Sequence, residues 1–355
     1  MKKAVLFLMM GVCVLLLSCD TDIATSENQV IEGDQDQKKN DRSWYSGKEY
    51  FLVANRGSAT VSVFNAKNTE FIKDITLPDP GAQPTYLAHS RRKSRIYVGD
   101  FINKKVVYYD SATFELEGEI DIEEGAFHMW LNDRVGQLWV NNIVSKTTSV
   151  IDLNTNTVIE TLSLPVNEIP ELTENAVQHD VTISPSGVAA YVTILDGADK
   201  SYVVMYSTRT MKYLKHEEVG GDAHLLPVGY KLYVPAQNEN KLTVFSRFNL
   251  SKLGEVPFES THGVANSRRF IFTTGIGVNK IGVLDRYTNK VVSEITTTYD
   301  IPHNLAVNRR GTILFLSHSG GTATKVVFYR IKRNGQLEEI SAHDSGTNPF
   351  GVLSY

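Results

Sequence analysis

The sequence predicts an all-β fold, a seven-bladed β-propeller of four-stranded blades. The first observation is a strand that ends in small or polar residues and recurs at a spacing of about 38 to 51 residues, the range of propeller blades. The second is that another strand with alternating apolar residues follows after a short polar loop, as in KVVYYD (105–110) and KIGVLD (280–285). A further strand follows in several units, as in KVVSEITT (290–297). The copies of the recurring strand are FLVAN (51–55), RIYVGD (95–100), LWVNN (138–142), AYVTI (190–194), LYVPA (232–236), FIFTTG (270–275) and LFLSHS (314–319).

The third observation concerns the two ends of the repeat. The first unit, from Lys48, lacks the short opening strand that begins the other units, whereas NPFGVLSY (348–355) is an opening strand with nothing after it. We therefore expect the C-terminal strand to complete the first blade and close the ring. An open array of β-sandwiches is the alternative, and the complementary half-blades disfavour it. The other opening strands are PTYLAHS (84–90), FHMWLND (127–133), QHDVTIS (178–184), AHLLPVG (223–229), HGVANSR (262–268) and PHNLAVN (302–308).

Residues 1–18 are predicted to be a lipoprotein signal peptide. A basic start is followed by an apolar run over 4–17, which is too short to span a bilayer as a stable helix. The run ends in Leu16-Leu17-Ser18-Cys19, which resembles the bacterial lipobox. This resemblance implies cleavage before Cys19 and lipidation of its thiol. The alternative is a signal peptide that is cut elsewhere, which would leave a soluble secreted protein.

The rest of the chain is predicted to be a tether followed by one domain. Residues 19–47 hold the lipidated cysteine and a polar, acidic segment with too few apolar residues to form a core. Residues 48–355 form the propeller. We expect an extracytoplasmic, membrane-anchored protein on the periplasmic or cell-surface side. Cys19 would be the only cysteine of the mature chain, which excludes a disulfide and a catalytic thiolate.

Composition limits the classes of partner. The chain has 42% hydrophobic and 21% charged residues, which excludes a wholly disordered protein. Its 36 Lys and Arg residues against 40 Asp and Glu residues give a formal charge of −4, which disfavours a nucleic-acid partner. We expect a monomer that binds the membrane through its lipid anchor and recognises a small ligand or an envelope protein.

Five of the nine histidines are predicted to share one position, the second or third residue of the opening strand, in five consecutive blades. Opening strands line the channel of a propeller, so these imidazoles are expected to converge at one mouth. Neutral imidazole is a preferred ligand of copper, zinc and iron. In this register Thr85 and Phe350 replace histidine in the second and first blades. The predicted metal ligands are His128, His179, His224, His262 and His303, with Asp100, Asp180, Asp222, Asp300 and His318 as further ligands or supporting groups.

Two segments, FLVANRGSATVSVFNA and LWVNNIVSKTTSVIDLNTNTVIETL, resemble the YVTN-type propeller repeats of bacterial surface and periplasmic proteins. The resemblance covers residues 48–355 and implies the fold rather than an activity. The histidines are also similar to those of two families with seven-bladed propellers. Nitrous-oxide reductases carry a copper cluster on channel histidines, and cytochrome-type nitrite reductases hold a haem at the propeller mouth. VQHDVTISPSGVAAYVTI (177–194) looks like the blades of the latter.

This sequence lacks motifs that are typical of these two families. The cupredoxin cysteines of the first family and the Cys-x-x-Cys-His motif of the second are absent from the sequence. The resemblance therefore implies a ligand site at the histidine mouth, for a metal or, with less support, a haem-like group. It does not carry over an enzymatic activity.

Several functional hypotheses stay open at this point. The first is a binding propeller whose histidine ring holds a transition metal or a metal-containing ligand. The second is a metal-assisted hydrolase or lyase at the same mouth, with Tyr86 or Tyr299 as a further group. The third is a metal-free interaction module of the cell envelope, in which the histidines only bond to loop carbonyls. The absence of a complete catalytic motif favours binding. Arg56, Lys104, Lys105 and Lys146 follow recurring strands on the same face and are candidates for binding an anion, with ordinary surface positions as the favoured alternative.

Overall fold

The computed structural model describes residues 48–355, and these residues form seven four-stranded antiparallel sheets. The predicted seven-bladed propeller is therefore confirmed. The predicted signal peptide (1–18) and the tether with Cys19 (19–47) lie outside the described residues. Within residues 48–355, the helical structure is one 3₁₀ turn at Gln237–Glu239, and no helix there has the length and apolar character needed to cross a bilayer.

The strands follow the chain blade by blade, and each blade runs from an innermost to an outermost strand. The first four blades contain β28 (Pro349–Ser354), β1 (Tyr50–Asn55), β2 (Thr60–Asn65) and β3 (Phe71–Thr76); β4 (Pro84–Ser90), β5 (Arg95–Asp100), β6 (Lys105–Asp110) and β7 (Leu116–Asp121); β8 (Ala126–Asn132), β9 (Gln137–Asn142), β10 (Thr147–Asp152) and β11 (Thr157–Ser163); and β12 (Val177–Ile183), β13 (Ala189–Leu195), β14 (Lys200–Ser207) and β15 (Tyr213–Gly220).

The remaining three blades repeat this arrangement. They contain β16 (Leu226–Val228), β17 (Lys231–Ala236), β18 (Lys241–Ser246) and β19 (Lys252–Pro257); β20 (Thr261–Asn266), β21 (Phe270–Gly275), β22 (Lys280–Asp285) and β23 (Lys290–Thr296); and β24 (Pro302–Val307), β25 (Ile313–His318), β26 (Lys325–Ile331) and β27 (Leu337–Asp344).

Burial explains the different sequence patterns of the strands. The second strand of a blade lies between two neighbouring blades, so both of its faces are covered, and β1 is buried at all six positions. Such strands read as nearly continuous apolar runs. The outermost strand β3 is exposed except at Ile75, and it carries charged residues. The core consists of apolar layers between blades, one of which joins Leu52 and Val61 of the first blade to Leu87 and Ile96 of the second.

The ring closes as the sequence predicts. The C-terminal strand β28 pairs antiparallel with β1, with Leu353 opposite Leu52 and Val352 opposite Val53. At the end of the chain, the hydroxyl of Tyr355 donates a hydrogen bond of 2.9 Å to the carbonyl oxygen of Ser111 in the second blade. The C-terminus therefore joins the first blade to the second as well as completing the first.

The antiparallel topology assigns every loop to one of two faces. We call the end where the inner strands begin the mouth face, and the opposite end the lower face. The mouth-face loops are 56–59, 77–83, 101–104, 122–125, 143–146, 164–176, 196–199, 221–225, 237–240, 258–260, 276–279, 297–301, 319–324 and 345–348. The lower-face segments are 48–49, 66–70, 91–94, 111–115, 133–136, 153–156, 184–188, 208–212, 229–230, 247–251, 267–269, 286–289, 308–312 and 332–336.

His89 makes the stability of the ring closure dependent on pH. Its ring stacks on Tyr355 with centroids 4.1 Å apart, and burial lowers its pKa to about 4. Below pH ~6.5 the unfolded chain therefore binds a proton that the folded chain excludes, so stability is lost as the pH falls from ~6.5 to ~4. The free energy of unfolding of the wild type should fall between pH 7.5 and pH 5. We expect this fall to be smaller in His89→Gln by up to about 2 kcal/mol.

Urea unfolding of wild type and His89→Gln at both pH values measures this difference. His216→Gln is the control, because this histidine lies on the outermost strand β15. An identical acid sensitivity in wild type and His89→Gln would contradict the prediction.

Candidate metal centre at the channel mouth

A β-bulge at the start of the inner strands directs the functional side chains towards the channel. In the fourth blade, pairing passes from Gln178 opposite Ile194 to Val181 opposite Val192, which leaves His179 and Asp180 between the paired positions. The same register shift occurs in six of the seven blades. An unpaired bulge residue can turn away from the alternation of the sheet.

The bulge changes the predicted register of one histidine. His179, His262 and His303 are each the first of the two bulge residues, as expected. In the third blade Phe127 takes this place, and His128 follows as the second bulge residue. The prediction that five histidines share one position is therefore wrong for His128.

In the fifth blade, His224 reaches the histidine position of the other blades without a bulge. His224 stands between a bridge of Ala223 to Ala236 and the pairing of Leu226 with Tyr233. The sequence could not show these differences, because alternation does not reveal an extra residue in one strand.

The five predicted histidines come together despite this difference. All five are buried, and the cluster has successive ring-centroid distances of 4.8, 4.9, 4.1 and 4.8 Å. We call them the histidine cluster; in this order its members are His128, His179, His224, His262 and His303.

Two of the predicted carboxylates lie inside the cluster. Asp180 Oδ1 is 3.0 Å from His128 Nδ1, and Asp180 Oδ2 is 3.6 Å from His224 Nδ1. Asp222 lies 3.6 Å from His224 Nε2, 3.6 Å from His262 Nδ1 and 3.9 Å from His179 Nε2. Asp222 adopts a φ of 54°, a left-handed conformation that aspartate tolerates better than most residues. Each carboxylate therefore bridges at least two imidazoles.

Several imidazole nitrogens in the cluster are buried without a hydrogen-bond partner within residues 48–355. Burial of a polar atom without a partner costs about 1–3 kcal/mol. A set of such atoms around two carboxylates is consistent with a site for a cation. Three of these atoms, His128 Nε2, His179 Nδ1 and His262 Nε2, have no polar partner in the described part of the chain, and two more, His224 Nε2 and His262 Nδ1, lie 3.6 Å from Asp222, just beyond hydrogen-bond distance.

The protonation states of the cluster also favour a cation. Burial lowers the pKa of His262 to about 4 and holds those of His179 and His303 well below the usual value. Burial lowers the pKa of His128 too, against the attraction of Asp180. These four imidazoles are therefore neutral near pH 7, which is the form that binds metals.

His224 is the exception because it lies between both carboxylates. Burial lowers its pKa, but Asp180 and Asp222 outweigh that effect and raise it to about 9. Burial alone would raise the pKa of each carboxyl group, but the surrounding imidazoles hold both below the usual range. Near pH 7 the cluster thus holds two carboxylates and one imidazolium. A divalent cation in place of the His224 proton would balance the two negative charges.

Two overlapping sets of three side chains have the composition of a metal site. One is His128, His179 and His224, and the other is Asp222, His224 and His262. In each set the ligand atoms lie within 4.8 Å of one another. Nitrogen ligands at 2.0–2.1 Å around a tetrahedral ion lie about 3.3–3.4 Å apart, so each ligand atom of either set would have to move inward by less than about 1 Å to reach one ion. His224 belongs to both sets.

The other predicted groups make their contacts in the neighbouring loops. Asp100 accepts hydrogen bonds from the backbone N–H of Gln83 (3.0 Å) and from Asn103 Nδ2 (2.8 Å). Asp300 accepts one of 2.6 Å from Asn279, and His318 Nδ1 lies 2.9 Å from the carbonyl oxygen of Asp300. These three residues stabilise mouth-face loops, and neither three-residue set includes them.

His303 belongs to neither set, and its role as a ligand stays a prediction. Its Nδ1 lies 2.7 Å from the hydroxyl of Ser319, a contact that sequence reasoning missed. Its ring stacks on His262 at an interplanar angle of 22°. Ser319 in turn donates a hydrogen bond of 2.6 Å to the carbonyl oxygen of Pro349. These contacts support a positioning role for His303.

The two tyrosines named from the sequence have different locations. Tyr86 stacks on His128 with centroids 3.8 Å apart, and its hydroxyl accepts a hydrogen bond of 3.3 Å from Asn304. Burial raises the pKa of Tyr86 well above its usual value, so the phenol stays protonated at neutral pH. Tyr299 packs against His318 instead, with centroids 5.6 Å apart.

Arg56 lies next to the cluster in an aromatic setting. Its guanidinium is 4.7, 5.9 and 5.4 Å from the ring centroids of Phe101, Phe127 and Phe350, respectively. Phe127 and Phe350 in turn contact His179 and His303, at 5.5 and 4.4 Å between centroids. Within residues 48–355, no carboxylate forms an ion pair with this half-buried arginine.

The histidine cluster closes one end of a cavity that follows the channel. The cavity has a volume of about 420 Å³, and Tyr86, His128 and His224 line it at the cluster end. Further along, its walls are largely apolar and include Leu226 and Leu305. A few convergent polar groups beside an apolar wall are typical of a site for a small molecule.

Comparison with known proteins supports the fold alone. No family model matches the chain, and no curated sequence matches it. A periplasmic gluconolactonase from Pseudomonas aeruginosa is similar in structure, with a TM-score of 0.70, 15% identity, and coverage of 86% of this chain and 99% of that one. A protein described as a putative 6-phosphogluconolactonase from Bacteroides fragilis has a TM-score of 0.68 and 14% identity, and the match covers 87% of this chain and 98% of that one. Hydrazine synthase from Kuenenia stuttgartiensis has a TM-score of 0.62 and 12% identity, and the match covers 81% of this chain and 91% of that one.

Proposed function

We propose that this protein is an extracytoplasmic lipoprotein whose propeller binds a divalent transition metal at the histidine cluster. The observation that carries the proposal is the set of buried, unpartnered imidazole nitrogens around Asp180 and Asp222. A metal-free structural role leaves these nitrogens without partners, whereas a bound cation satisfies several of them and balances both carboxylates. The lipid anchor at Cys19 rests on the sequence, and one similar structure is named a periplasmic protein.

The donor set restricts the identity of the metal. Imidazole and carboxylate ligands suit zinc, copper(II) and iron, whereas copper(I) prefers sulfur. Residues 48–355 contain no cysteine. By the usual order of stability, copper(II) would bind more tightly than zinc, and iron(II) more weakly. A bound ion of this kind would supply Lewis acidity at the end of the channel.

Metal analysis of the mature chain tests the proposal. The protein is exported to a periplasm, purified without a histidine tag, and examined for metal content and for its ultraviolet–visible spectrum. We expect about one zinc, copper or iron ion per chain, or uptake of one ion when the apoprotein is titrated. A haem-like absorption band would contradict a simple metal site. A protein that stays metal-free after titration would leave a metal-free interaction module as the better description.

Arg56 favours hydrolysis of an anionic ester or lactone as a second candidate function. A half-buried guanidinium with no ion-pair partner within residues 48–355 can hold a substrate carboxylate or phosphate through two hydrogen bonds. A carbonyl group of the same molecule would then face the metal ligands, where a bound cation would polarise it. Two of the similar structures are named lactonases, which motivates the choice of substrates. A lyase is less well supported, because Tyr86 stays protonated and cannot act as a base near pH 7.

Replacement of Arg56 tests this second function. With metal-loaded protein, we expect Arg56→Gln to raise the KM for a lactone bearing a carboxylate by about tenfold or more, because the charged hydrogen bonds are lost. Arg56→Lys should restore part of the affinity, and the KM for an uncharged lactone should stay unchanged. Absence of hydrolysis in the wild type would exclude the enzymatic function and leave metal binding as the function.

A further inference from the structure

The two faces of the propeller carry opposite charge. The lower-face segments contain sixteen Lys and Arg residues and four Asp and Glu residues. The mouth-face loops contain three basic and twelve acidic residues. A formal charge of −4 for the whole chain hides this separation. The lower face therefore has the electrostatic character of a surface that binds a polyanion.

The basic residues are most concentrated in the sixth and seventh blades. Arg268 and Arg269 lie in one loop, and Arg309 and Arg310 lie in the equivalent loop of the next blade; all four are exposed. Arg269 Nη1 donates a hydrogen bond of 3.4 Å to the carbonyl oxygen of Arg333, which joins a third basic loop to them. Arg269 also pairs with Asp285 at 3.5 Å, whereas the other three of these four arginines form no ion pair within the described residues.

Exposed apolar side chains accompany the arginines. The four most exposed large hydrophobic residues of the described chain all lie in lower-face loops, at 57–69% exposure: Val188, Tyr230, Phe248 and Tyr287. Arg247 and Arg286 lie 4.4 and 5.3 Å from the rings of Phe248 and Tyr287. Arginine beside exposed tyrosine and phenylalanine is typical of surfaces that enter the headgroup region of a bilayer.

The described chain also begins on this face. Lys48 and Glu49 precede β1 at the lower end of the first blade, and the Glu49 carboxylate accepts a hydrogen bond from the backbone N–H of Arg309. The segment that connects Cys19 to the propeller therefore joins it next to the densest group of arginines. A lipid anchor and a basic surface act together on the same membrane when they lie on the same side of a domain.

We propose that the lower face docks on an anionic phospholipid bilayer, with Tyr230, Phe248 and Tyr287 in the headgroup region. This orientation turns the acidic mouth face and the histidine cluster away from the membrane and towards solution. The cavity beside the cluster extends to Val307 and Ser354 at the lower ends of the inner strands, so docking would cover that end of the cavity. The inference concerns a second surface and does not depend on metal binding.

Vesicle binding of the chain from Asp20 tests this proposal. This chain lacks the lipidated cysteine but keeps all the strands of the described structure, so any binding comes from the protein surface. We expect it to sediment with vesicles of phosphatidylcholine and phosphatidylglycerol and to dissociate from them at high salt. It should not bind vesicles of phosphatidylcholine alone. Each basic residue near such a surface adds about fivefold to binding, so Arg→Gln at positions 268, 269, 309 and 310 should weaken it by at least about tenfold.

The matched control removes four positive charges elsewhere. Lys→Gln at positions 73, 104, 146 and 215 changes the net charge equally, on the outer strands and the mouth face. We expect this variant to bind as the wild type does, and unchanged thermal unfolding shows that both variants are folded. Equal losses in both variants, or no binding to anionic vesicles, would overturn the proposal. Binding to heparin or RNA but not to vesicles would assign the face to another polyanion and would overturn it too.

A fluorescent reporter tests the orientation independently of affinity. We expect quenching of a tryptophan in Tyr287→Trp by brominated phospholipids, above the background of the wild type. A tryptophan in Val144→Trp, on the mouth face, should show no such quenching. Equal quenching at both positions would exclude the proposed orientation.

Discussion

His224→Gln is expected to abolish high-affinity metal binding, because His224 is the only residue that both candidate ligand sets share. It also lies 3.6 Å from each of the two carboxylates of the cluster. Loss of a hydrogen bond that supports a ligand lowers metal affinity by about 10–100-fold, and loss of the ligand itself should exceed that range. Zinc titration against a competing chelator, together with metal content after purification, measures the effect.

His303→Gln is the matched control for this experiment. His303 is equally buried and packs on the same neighbour, His262, but it belongs to neither set. We expect its metal affinity to fall by no more than the roughly 10–100-fold typical of a supporting residue. Thermal unfolding of both apoproteins separates loss of a ligand from loss of the fold. Equal losses of affinity in the two variants would contradict the shared role of His224 and would favour a site that spans the whole cluster.

The fold and the convergence of the histidines were predictable from the sequence because periodicity encodes them. The recurring strand marks each blade, and the unmatched segment 348–355 marks the closure, so blade number and pairing of the ends follow. The inner strands must line the channel, which brings residues such as His179 and His262 together although they lie in different blades. Asp180 was identified by its place beside a histidine, and it does bridge two imidazoles.

The finer features of the site were not predictable, because they depend on bulges and on contacts between blades. The bulge that places His128 one residue after Phe127 leaves no mark in the alternation of apolar residues. Asp100 and Asp300 were placed on the correct face, but their side chains accept hydrogen bonds from neighbouring mouth-face loops, through Gln83 and Asn279. The contact of Ser319 with His303 and the aromatic surroundings of Arg56 join residues of separate strands and loops. Only the folded chain shows them.

Deletion of residues 348–355 is expected to remove the cooperative unfolding transition of the propeller. These residues form β28, which supplies the innermost strand of the first blade and pairs with β1. Without it, β1 would expose its backbone edge, and the contact of Tyr355 with the second blade would be lost. Thermal unfolding followed by circular dichroism and calorimetry measures the change. Deletion of 20–47 is the control, because the sequence predicts only a tether there, and its transition should match that of the wild type.

A single methyl group provides a milder test of the same closure. A Cβ added at Gly351 would lie 2.4 Å from the carbonyl oxygen of Thr85 and 2.8 Å from Tyr86 Cα, so β28 must shift away from the second blade. We therefore expect Gly351→Ala to destabilise the protein by about 1–3 kcal/mol. Gly254→Ala on the outer strand β19 has no atom within 4 Å of the added Cβ and should change stability by less than about 0.5 kcal/mol. If the two variants have the same urea midpoint, close packing of β28 on the second blade does not contribute to ring closure. If only Gly351→Ala is destabilised, the closure depends on contact between blades as well as on pairing within the first blade.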